Sequence, residues 1–225
     1  MNVAVIIPWR STCEHRERAL EWVRQRWREA HPDWTVHVSE DAGRGLWSKS
    51  KAVRRGVDSA STASVVVIAD ADVWAGPIAD SVERVESGTA PWARPYNRVV
   101  RLDQIGTDRV LAGEAPQAVA AEKNRCAVRP YHHRAAGGLV VLRREDAVAV
   151  PIDPRFSGYG GEDFAWADAL DTLVGRRVET NAVLYHLWHR PQSPKLTENV
   201  TLAARYRKAL NRPAAMRTLL AEIRA

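Results

Sequence analysis

Apolar and polar positions follow two different periods over the first third of the chain. The β-branched apolar runs at 3–7 and 64–69 predict buried strands, and the stretch 35–39 predicts a third strand. Between them, Glu14–Ala30 and Trp47–Ala60 place apolar residues at helical spacing. Strand, helix, strand, helix and strand in this order predict an α/β fold with a mostly parallel sheet and right-handed connections.

The rest of the chain is less regular but continues with both kinds of element. The pattern predicts a helix, a strand, a helix and two further strands at Pro77–Glu86, Asn97–Leu102, Ala115–Asn124, Gly137–Leu142 and Val178–Leu187. Two basic amphipathic helices follow and are divided at Pro213, while Arg190 and Pro191 end the preceding strand. No repeat, low-complexity tract or linker interrupts the sequence, so we expect one domain over residues 1–225.

Length and composition narrow the class of protein. The chain has 225 residues, of which 45% are hydrophobic and 27% charged, and this composition is typical of a globular domain with a full core. No apolar run approaches the roughly 20 residues that span a bilayer, and the amino terminus lacks the basic flank of a signal peptide. Cys13 and Cys126 form no disulfide framework and lack metal-ligand spacing. We therefore expect a reducing, cytoplasmic setting.

The charge balance favours an anionic ligand. The net charge is +6, and arginine, which binds phosphates and carboxylates with a planar pair of donors, supplies most of the positive charge. A GC-rich genome that encodes arginine in place of lysine explains the same excess equally well. Nine tryptophans are enough to supply both core residues and stacking faces for sugars or bases.

Two carboxylates follow the third predicted strand directly, at Asp70 and Asp72, with Ala71 between them. Ligands bind at the carboxyl ends of strands in parallel sheets, and a hard cation such as Mg²⁺ or Mn²⁺ takes oxygen ligands there. Pro8-Trp9-Arg10 follows the first strand and falls at the same edge of the sheet. An ordinary surface turn or helix cap is the alternative interpretation of an Asp-x-Asp tripeptide.

A glycine-rich turn, Gly158-Tyr159-Gly160-Gly161, runs directly into Glu162 and Asp163 at the start of a predicted helix. Glycines allow the backbone to approach a bulky ligand, and a carboxylate held against a hydroxyl can act as a general base. The usual preference for acids in the first helical turn is the alternative explanation. The glycines favour the catalytic interpretation.

His186 and His189 stand at the end of the last predicted strand. Both imidazoles can reach one ion at this spacing, and imidazole suits Mn²⁺ or another transition ion better than Mg²⁺. A lone histidine is more often a core or surface residue than a ligand.

The order of these three motifs resembles that of the GT-A glycosyltransferases. The likeness is nearest to the β-1,4-galactosyltransferases and chondroitin polymerases, with polypeptide N-acetylgalactosaminyltransferases as more distant relatives. It also includes Val5-Ile6-Ile7-Pro8, Ser48-Lys49-Ser50-Lys51-Ala52 and Gly137-Gly138. The resemblance implies a Rossmann-like α/β fold, with a mixed, mainly parallel sheet flanked by helices. It implies a nucleotide-sugar half at 1–75, an acceptor half at 76–195 and carboxy-terminal helices at 196–225.

The resemblance also implies the ligands of a cation. Asp72 would bind Mn²⁺ or Mg²⁺ bridging the diphosphate of a nucleotide sugar, with His189 and His186 as further ligands, and Asp70 would contact the ribose or the donor sugar. The other residues expected to bind the nucleotide sugar are Pro8, Trp9, Arg10, Lys51, Arg55, Ala71, Gly160 and Gly161. A solvated helix face is the equally weighted interpretation of Lys51 and Arg55.

The implied activity is a metal-dependent, inverting transfer of a sugar, expected to come from a UDP-sugar, to a hydroxyl of a glycan or small acceptor. Asp163 would be the catalytic base and Glu162 would hold the acceptor or the donor sugar. Ser157-Gly158-Tyr159 stands where galactosyltransferases have tryptophan-rich sequence. The chain also lacks the membrane anchor and disulfides of Golgi relatives, which favours a soluble enzyme of bacterial or phage type.

Three alternatives stay open. The same chemistry could modify a hydroxylated nucleic-acid base, since the sequence contains arginine-rich segments: Arg24, Arg26, Arg28, Arg205, Arg207 and Arg212. A nucleotidyltransferase also uses paired aspartates, but it would open with a glycine-rich basic loop that this chain lacks. A nucleotide-binding module without activity is disfavoured because the candidate base is present.

Overall fold

The computed structural model describes residues 2–128, 136–190 and 196–223. Pro191, expected to end a strand, lies outside these residues. In the described part of the chain the strands are β1 Val3–Trp9, β2 Thr35–Glu40, β3 Val65–Ala69, β4 Val73–Ala75, β5 Trp92–Arg94, β6 Arg98–Leu102, β7 Cys126–Val128, β8 Leu139–Arg143, β9 Val178–Glu179 and β10 Val183–His186.

The helices surround these strands on both faces. They are α1 Glu14–Ala30, α2 Lys49–Ser59, α3 Ala79–Glu86, α4 Gln104–Leu111, α5 Pro116–Ala121, α6 Arg144–Ala149, α7 Glu162–Leu173, α8 Thr197–Ala209 and α9 Pro213–Ala221, with a 3₁₀ turn at Lys123–Arg125. No helix in the described residues has both the length and the apolar character that crossing a membrane requires.

The larger sheet has the strand order β2-β1-β3-β8-β5-β9. Strands β2, β1 and β3 are parallel, β8 runs antiparallel to both β3 and β5, and β9 is parallel to β5. The predicted mixed α/β architecture is therefore confirmed. Because β1 and β3 are parallel neighbours, their carboxyl ends meet at one edge, where Pro8 and the Asp70–Asp72 segment lie.

Alternate residues of the central strands enter two cores, one on each face of the larger sheet. Val5 and Ile7 of β1 pack with Trp27 of α1, whereas Ile6 packs on the opposite face with Leu170 of α7. Each such fully buried side chain stabilises the fold by about 1.5–3 kcal/mol, and the tight burial fixes the register of the strands.

The single strand expected at Val178–Leu187 is wrong, because two strands in different sheets occupy this stretch. Strand β9 pairs with β5 in the larger sheet, and β10 belongs to a second sheet of order β4-β10-β6-β7. In this smaller sheet, His186 of β10 pairs with Val73 of β4 in antiparallel register. The split therefore brings His186 next to the segment that follows β3.

Helix α2 begins at Lys49, two residues later than the sequence pattern suggests. The cause is Ser48, whose backbone is extended and whose hydroxyl accepts a hydrogen bond from the Lys51 amide as a helix cap. The expected helix at Ala115–Asn124 is likewise shorter, since α5 is followed by the separate 3₁₀ turn. The sequence pattern did not predict the short elements β4, β5, β7, α4 and α6.

Candidate active site

A cavity of about 580 Å³ opens where β1, β3 and β10 end, and we call it the central cavity. The three motifs separated in the sequence all reach it. Among the residues expected at a site, those that line the cavity are Pro8, Asp70, Ala71, Asp72, Glu162, Asp163, His186 and His189.

Asp72, His186 and His189 form one cluster in this cavity, which we call the cation cluster. A ligand atom from each of the three side chains lies within 4.8 Å of the others. The Asp72 Oδ2 atom is 3.3 Å from His189 Nε2, and Asp72 is only 4% exposed. His189 Nδ1 lies 2.8 Å from the Arg190 carbonyl oxygen and donates that bond, so Nε2 is the ring nitrogen that faces Asp72.

Backbone hydrogen bonds hold the histidine segment against the aspartate loop. The Leu187 amide donates to the Asp72 carbonyl oxygen at 2.8 Å. The Trp188 amide donates to Thr107 Oγ1 at 2.7 Å, and Thr107 lies in α4 and is buried. These bonds fix the positions of His186 and His189 on either side of them.

The protonation states of His186 and Asp72 suit a divalent transition ion. Burial lowers the pKa of His186 to about 4 even though Asp72 is close, so the imidazole is neutral at physiological pH. Burial opposes ionisation of Asp72, but its electrostatic interactions with His186, Arg16 and His189 keep the pKa of Asp72 below its usual value. One carboxylate and two imidazoles are a donor set that fits Mn²⁺.

Lys49 joins Asp70 to Asp163 on the other side of the central cavity, and we call these three residues the lysine cluster. Its Nζ atom lies 2.7 Å from Asp70 Oδ1 and 2.9 Å from Asp163 Oδ1, and the lysine is buried. Burial alone would lower the pKa of Lys49, but the charges of Asp163 and Asp70 raise it well above its ordinary value. Lys49 is therefore a permanent cation between two carboxylates.

Glu162 and Asp163 have raised pKa values at the start of α7. Burial, together with the charge of Asp163, raises the pKa of Glu162 to about 7. Burial also raises the pKa of Asp163, although Lys49 partly offsets this effect. Glu162 Oε2 is buried and has no hydrogen-bond partner among the described residues. Such a carboxylate is available to a ligand, because an unpaired buried oxygen is costly without one.

Close packing requires glycine at two positions, one against Asp163 and one directly before α7. A Cβ atom on Gly137 would lie 2.5 Å from Asp163 Oδ2, so the carboxylate occupies the space that a side chain would take. The Tyr96 hydroxyl donates a hydrogen bond to the Gly137 carbonyl oxygen beneath it. Gly161 precedes α7 with φ of 99°, and a Cβ atom there would lie 3.0 Å from the Asn199 carbonyl oxygen. Gly160 and Gly161 thus shape the turn and do not themselves line the cavity.

Four other residues expected to bind the nucleotide lie outside the cavity lining. Arg10 pairs with Asp41 and donates to the carbonyl oxygens of Gly43 and Gly45, so it holds the loop after β2. Trp9 is buried beneath the guanidinium of Arg16, and Arg55 donates to the Glu40 carbonyl oxygen.

The fourth is Lys51, which lies along a separate groove beside α2. The start of α2 at Lys49 explains this placement, because Lys51 and Arg55 then lie about 200° and 240° around the helix axis from Lys49.

Several residues that line the cavity were given no individual role at a site by the sequence, although some belong to the motifs above. They are Arg16, Trp47, Lys49, Arg101, Leu102, Gly158, Tyr159 and Trp188. The available signal for Lys49 was the preceding Ser48, a preferred helix cap, which would have set the start of α2 and hence the face that Lys49 occupies.

The sequence matches no protein-family model and no curated protein sequence. Solved structures are nevertheless similar over most of the chain. The catalytic domain of Drosophila β1,4-galactosyltransferase 7, in complex with xylobiose, has 12% identity and a TM-score of 0.55, with 90% of this chain and 79% of that chain covered. S. aureus TarS 1–349 with UDP-GlcNAc has 10% identity and a TM-score of 0.55, with 99% and 71% covered.

GalNAc-T7, solved with UDP, GalNAc and Mn²⁺, is similar with 14% identity and a TM-score of 0.53. The alignment covers 95% of this chain and 51% of GalNAc-T7, so the chain spans about half of that structure. All three similar structures are glycosyltransferases, and their likeness extends over 90–99% of this chain. The chain therefore has the GT-A glycosyltransferase fold.

Proposed function

We propose that this protein is a metal-dependent glycosyltransferase that moves a sugar from a UDP-sugar to a hydroxyl of a glycan or small acceptor. One observation carries the proposal: the cation cluster and the carboxylates of Glu162 and Asp163 line the same cavity. The structures of TarS with UDP-GlcNAc and of GalNAc-T7 with UDP and Mn²⁺ support it, since they share this fold.

Asp72, His186 and His189 are the residues that would hold the divalent cation. When bound, the cation neutralises the negative charge that develops on the departing nucleoside diphosphate. Neutral His186 and ionised Asp72 need no change in protonation to serve as ligands at physiological pH. Asp70 and Ala71 flank the same site and would contact the ribose or the donor sugar.

Asp163 serves as the general base in the proposed reaction. It accepts the proton of the acceptor hydroxyl while that oxygen forms a bond to the anomeric carbon. The bond from the anomeric carbon to the diphosphate oxygen breaks, and its electron pair leaves with the diphosphate. A single displacement of this kind inverts the anomeric centre. The pKa of Asp163, raised by burial, makes this carboxylate a stronger base than an exposed aspartate.

Lys49 positions the base and does not itself react in this proposal. Its 2.9 Å contact with Asp163 Oδ1 fixes the carboxylate, and its charge keeps Asp163 ionised among other acids. Lys49 also binds Asp70 at 2.7 Å. The aspartate proposed to contact the donor and the proposed base therefore share one countercharge.

Glu162 would hold a sugar hydroxyl through its unpaired Oε2 atom. Trp47, Tyr159 and Trp188 also line the cavity and can stack on the apolar face of a sugar ring. A hydrogen-bonding carboxylate together with aromatic faces is the usual composition of a carbohydrate site.

The arginine-rich segments give little support to a nucleic-acid acceptor. In α1, Arg24 pairs with Glu21 and Arg26 with Glu29. In α8, Arg205 pairs with Glu222 and Arg207 with Asp168. Intramolecular ion pairs thus offset the charge that would otherwise attract a phosphate backbone.

The test of the proposal is a panel of nucleotide sugars incubated with Mn²⁺ and scored for donor hydrolysis and for transfer to simple glycosides. Wild type is compared with Asp72→Ala, and with Asp58→Asn as a control that alters an exposed acid of α2. We expect turnover of a UDP-sugar by the wild type and the control, and its loss in Asp72→Ala. Equal turnover by Asp72→Ala would contradict the proposed cation site.

A further inference from the structure

Arg16 lies in the first turn of α1 and reaches into the central cavity. Its Nη2 atom is 3.4 Å from Asp72 Oδ2, the same oxygen that lies 3.3 Å from His189 Nε2. The guanidinium also packs over the ring of Trp9, with its central carbon 5.9 Å from the ring centroid, and the side chain is 15% exposed. Arg16 is therefore a fixed countercharge to the one carboxylate of the cation cluster.

A divalent cation and Arg16 compete for the same aspartate oxygen. A cation held by the cluster would use a carboxylate oxygen of Asp72, and it would then face a guanidinium that already contacts Asp72 Oδ2. Arginine cannot relieve this repulsion by losing a proton, because it stays charged at every accessible pH. The Arg16–Asp72 contact consequently opposes the binding of a cation by itself.

A second observation indicates what Arg16 can bind instead. Its Nε atom is buried and has no hydrogen-bond partner among the described residues. The guanidinium is thus only partly used by Asp72, although its donors can form two parallel hydrogen bonds to a phosphate. Arg16 lines the same cavity as the cation cluster, so a phosphate group drawn to a cation there is the complementary ligand for the unused donors of its guanidinium.

We propose that Arg16 is an exchangeable countercharge, which binds Asp72 before the donor arrives and turns to the donor diphosphate when cation and nucleotide are bound together. This inference rests on the proposed function and adds that cation and nucleotide bind cooperatively through Arg16. Without the nucleotide, Arg16 weakens cation binding. With the nucleotide, the diphosphate takes up the guanidinium and frees Asp72. By linkage, the cation strengthens nucleotide binding by the same factor.

The experiment measures Mn²⁺ binding to the full chain by titration calorimetry and by the electron paramagnetic resonance of free Mn²⁺. Wild type, Arg16→Gln and Arg16→Lys are each titrated alone, with saturating UDP and with saturating pyrophosphate. The control is Arg18→Gln, which removes the same charge from an exposed arginine of α1 that pairs with Asp108. Thermal unfolding of each variant confirms that it is folded.

We expect Arg16→Gln to bind Mn²⁺ alone about fivefold more tightly than wild type does. The factor by which UDP strengthens Mn²⁺ binding should be about tenfold smaller in Arg16→Gln than in wild type. Arg16→Lys should retain part of that enhancement, pyrophosphate should reproduce most of it, and Arg18→Gln should behave like wild type.

If Arg16→Gln binds Mn²⁺ as wild type does, both alone and with UDP, the proposed role of Arg16 is overturned and the proposed function stays intact. Weaker binding of Mn²⁺ alone by Arg16→Gln would overturn it equally. Failure of the wild type to bind Mn²⁺ both with and without UDP would instead overturn the cation site, and with it both proposals.

Discussion

The cation cluster and the lysine cluster share one cavity, but the pKa of Asp72 in the first and the pKa of Asp163 in the second are shifted in opposite directions. Asp72 faces two imidazoles and Arg16, and its pKa lies below the usual value. Asp163 faces other carboxylates and shares Lys49 with Asp70, and burial raises its pKa. The comparison teaches that the environment of a carboxylate, more than its residue type, decides whether it suits a cation or a proton.

Replacing the proposed base should separate the two clusters most strongly. Asp163→Asn keeps the shape of the side chain but removes the proton acceptor, so we expect transfer to fall by about 10³-fold, within the range for general base catalysis. Binding of UDP in the presence of Mn²⁺ should stay within about threefold of wild type, because the cation cluster is unchanged. Steady-state kinetics and calorimetry check the two values, and normal transfer by Asp163→Asn would show that another group is the base.

Removing the shared lysine should cost the most stability. Lys49→Met leaves Asp70, Asp163 and Glu162 without their countercharge, and we expect a loss of about 3–5 kcal/mol in the free energy of unfolding at neutral pH. The loss should shrink as the pH falls and these acids become protonated. Urea denaturation at several pH values measures it.

Arg16→Gln is the matched comparison for Lys49→Met. It leaves Asp72 with two imidazole neighbours, so we expect it to lower the free energy of unfolding by only about 1 kcal/mol. Lys51→Met, on the exposed side of α2, is the control for the helix itself. Equal stability losses in Lys49→Met and Arg16→Gln would mean that the two clusters depend equally on their cationic side chains.

The pH dependence of stability should reveal Glu162. Its pKa is raised to about 7 in the folded protein, so its contribution to stability is complete below about pH 4 and is lost as the pH rises through 7. As the pH rises from 5 to 8, the free energy of unfolding of Glu162→Gln should therefore increase by about 2–3 kcal/mol relative to that of wild type. Unfolding curves across this range test the expectation, and parallel pH profiles for the two proteins would contradict it.

The smallest expected effect concerns the support of the histidine segment. Thr107→Val removes the acceptor of the Trp188 amide while keeping the volume of the side chain, and should weaken Mn²⁺ binding by about three- to tenfold. Thr201→Val, in α8, makes a similar change at an exposed site. Calorimetric titration of Mn²⁺ compares the two, and equal affinities would mean that this bond does not position His189.

The sequence predicted the parts of the site that depend on local pattern. The apolar run of β3 leads directly to Asp70 and Asp72, and a parallel strand places its carboxyl end at the ligand-binding edge. The acids after Gly161 were equally visible as the start of α7. The positions of these residues follow from strand and helix boundaries, whereas their grouping into one site was implied by the resemblance to GT-A glycosyltransferases.

The rest of the site depends on tertiary packing. Arg16 has the sequence context of an ordinary polar helix position, and its contact with Asp72 exists only because α1 packs beside the edge of the sheet. The hydrogen bonds of Arg10 to the loop after β2 were not predicted, because no local pattern reveals which carbonyl oxygens a side chain will reach. The smaller sheet could not be predicted for the same reason, since the pairing of β10 with β4 joins distant parts of the chain.

The smaller sheet has a consequence for the geometry of the cation site. Val73 of β4 is paired with His186, and Val73 directly follows Asp72, so the hydrogen-bond ladder of two short strands sets the distance between two candidate ligands. A one-residue slip of β10 would turn the His186 imidazole to the opposite face of its sheet. Inserting or deleting one residue in the connection from β9 to β10 would thus change the coordination chemistry without altering any ligand.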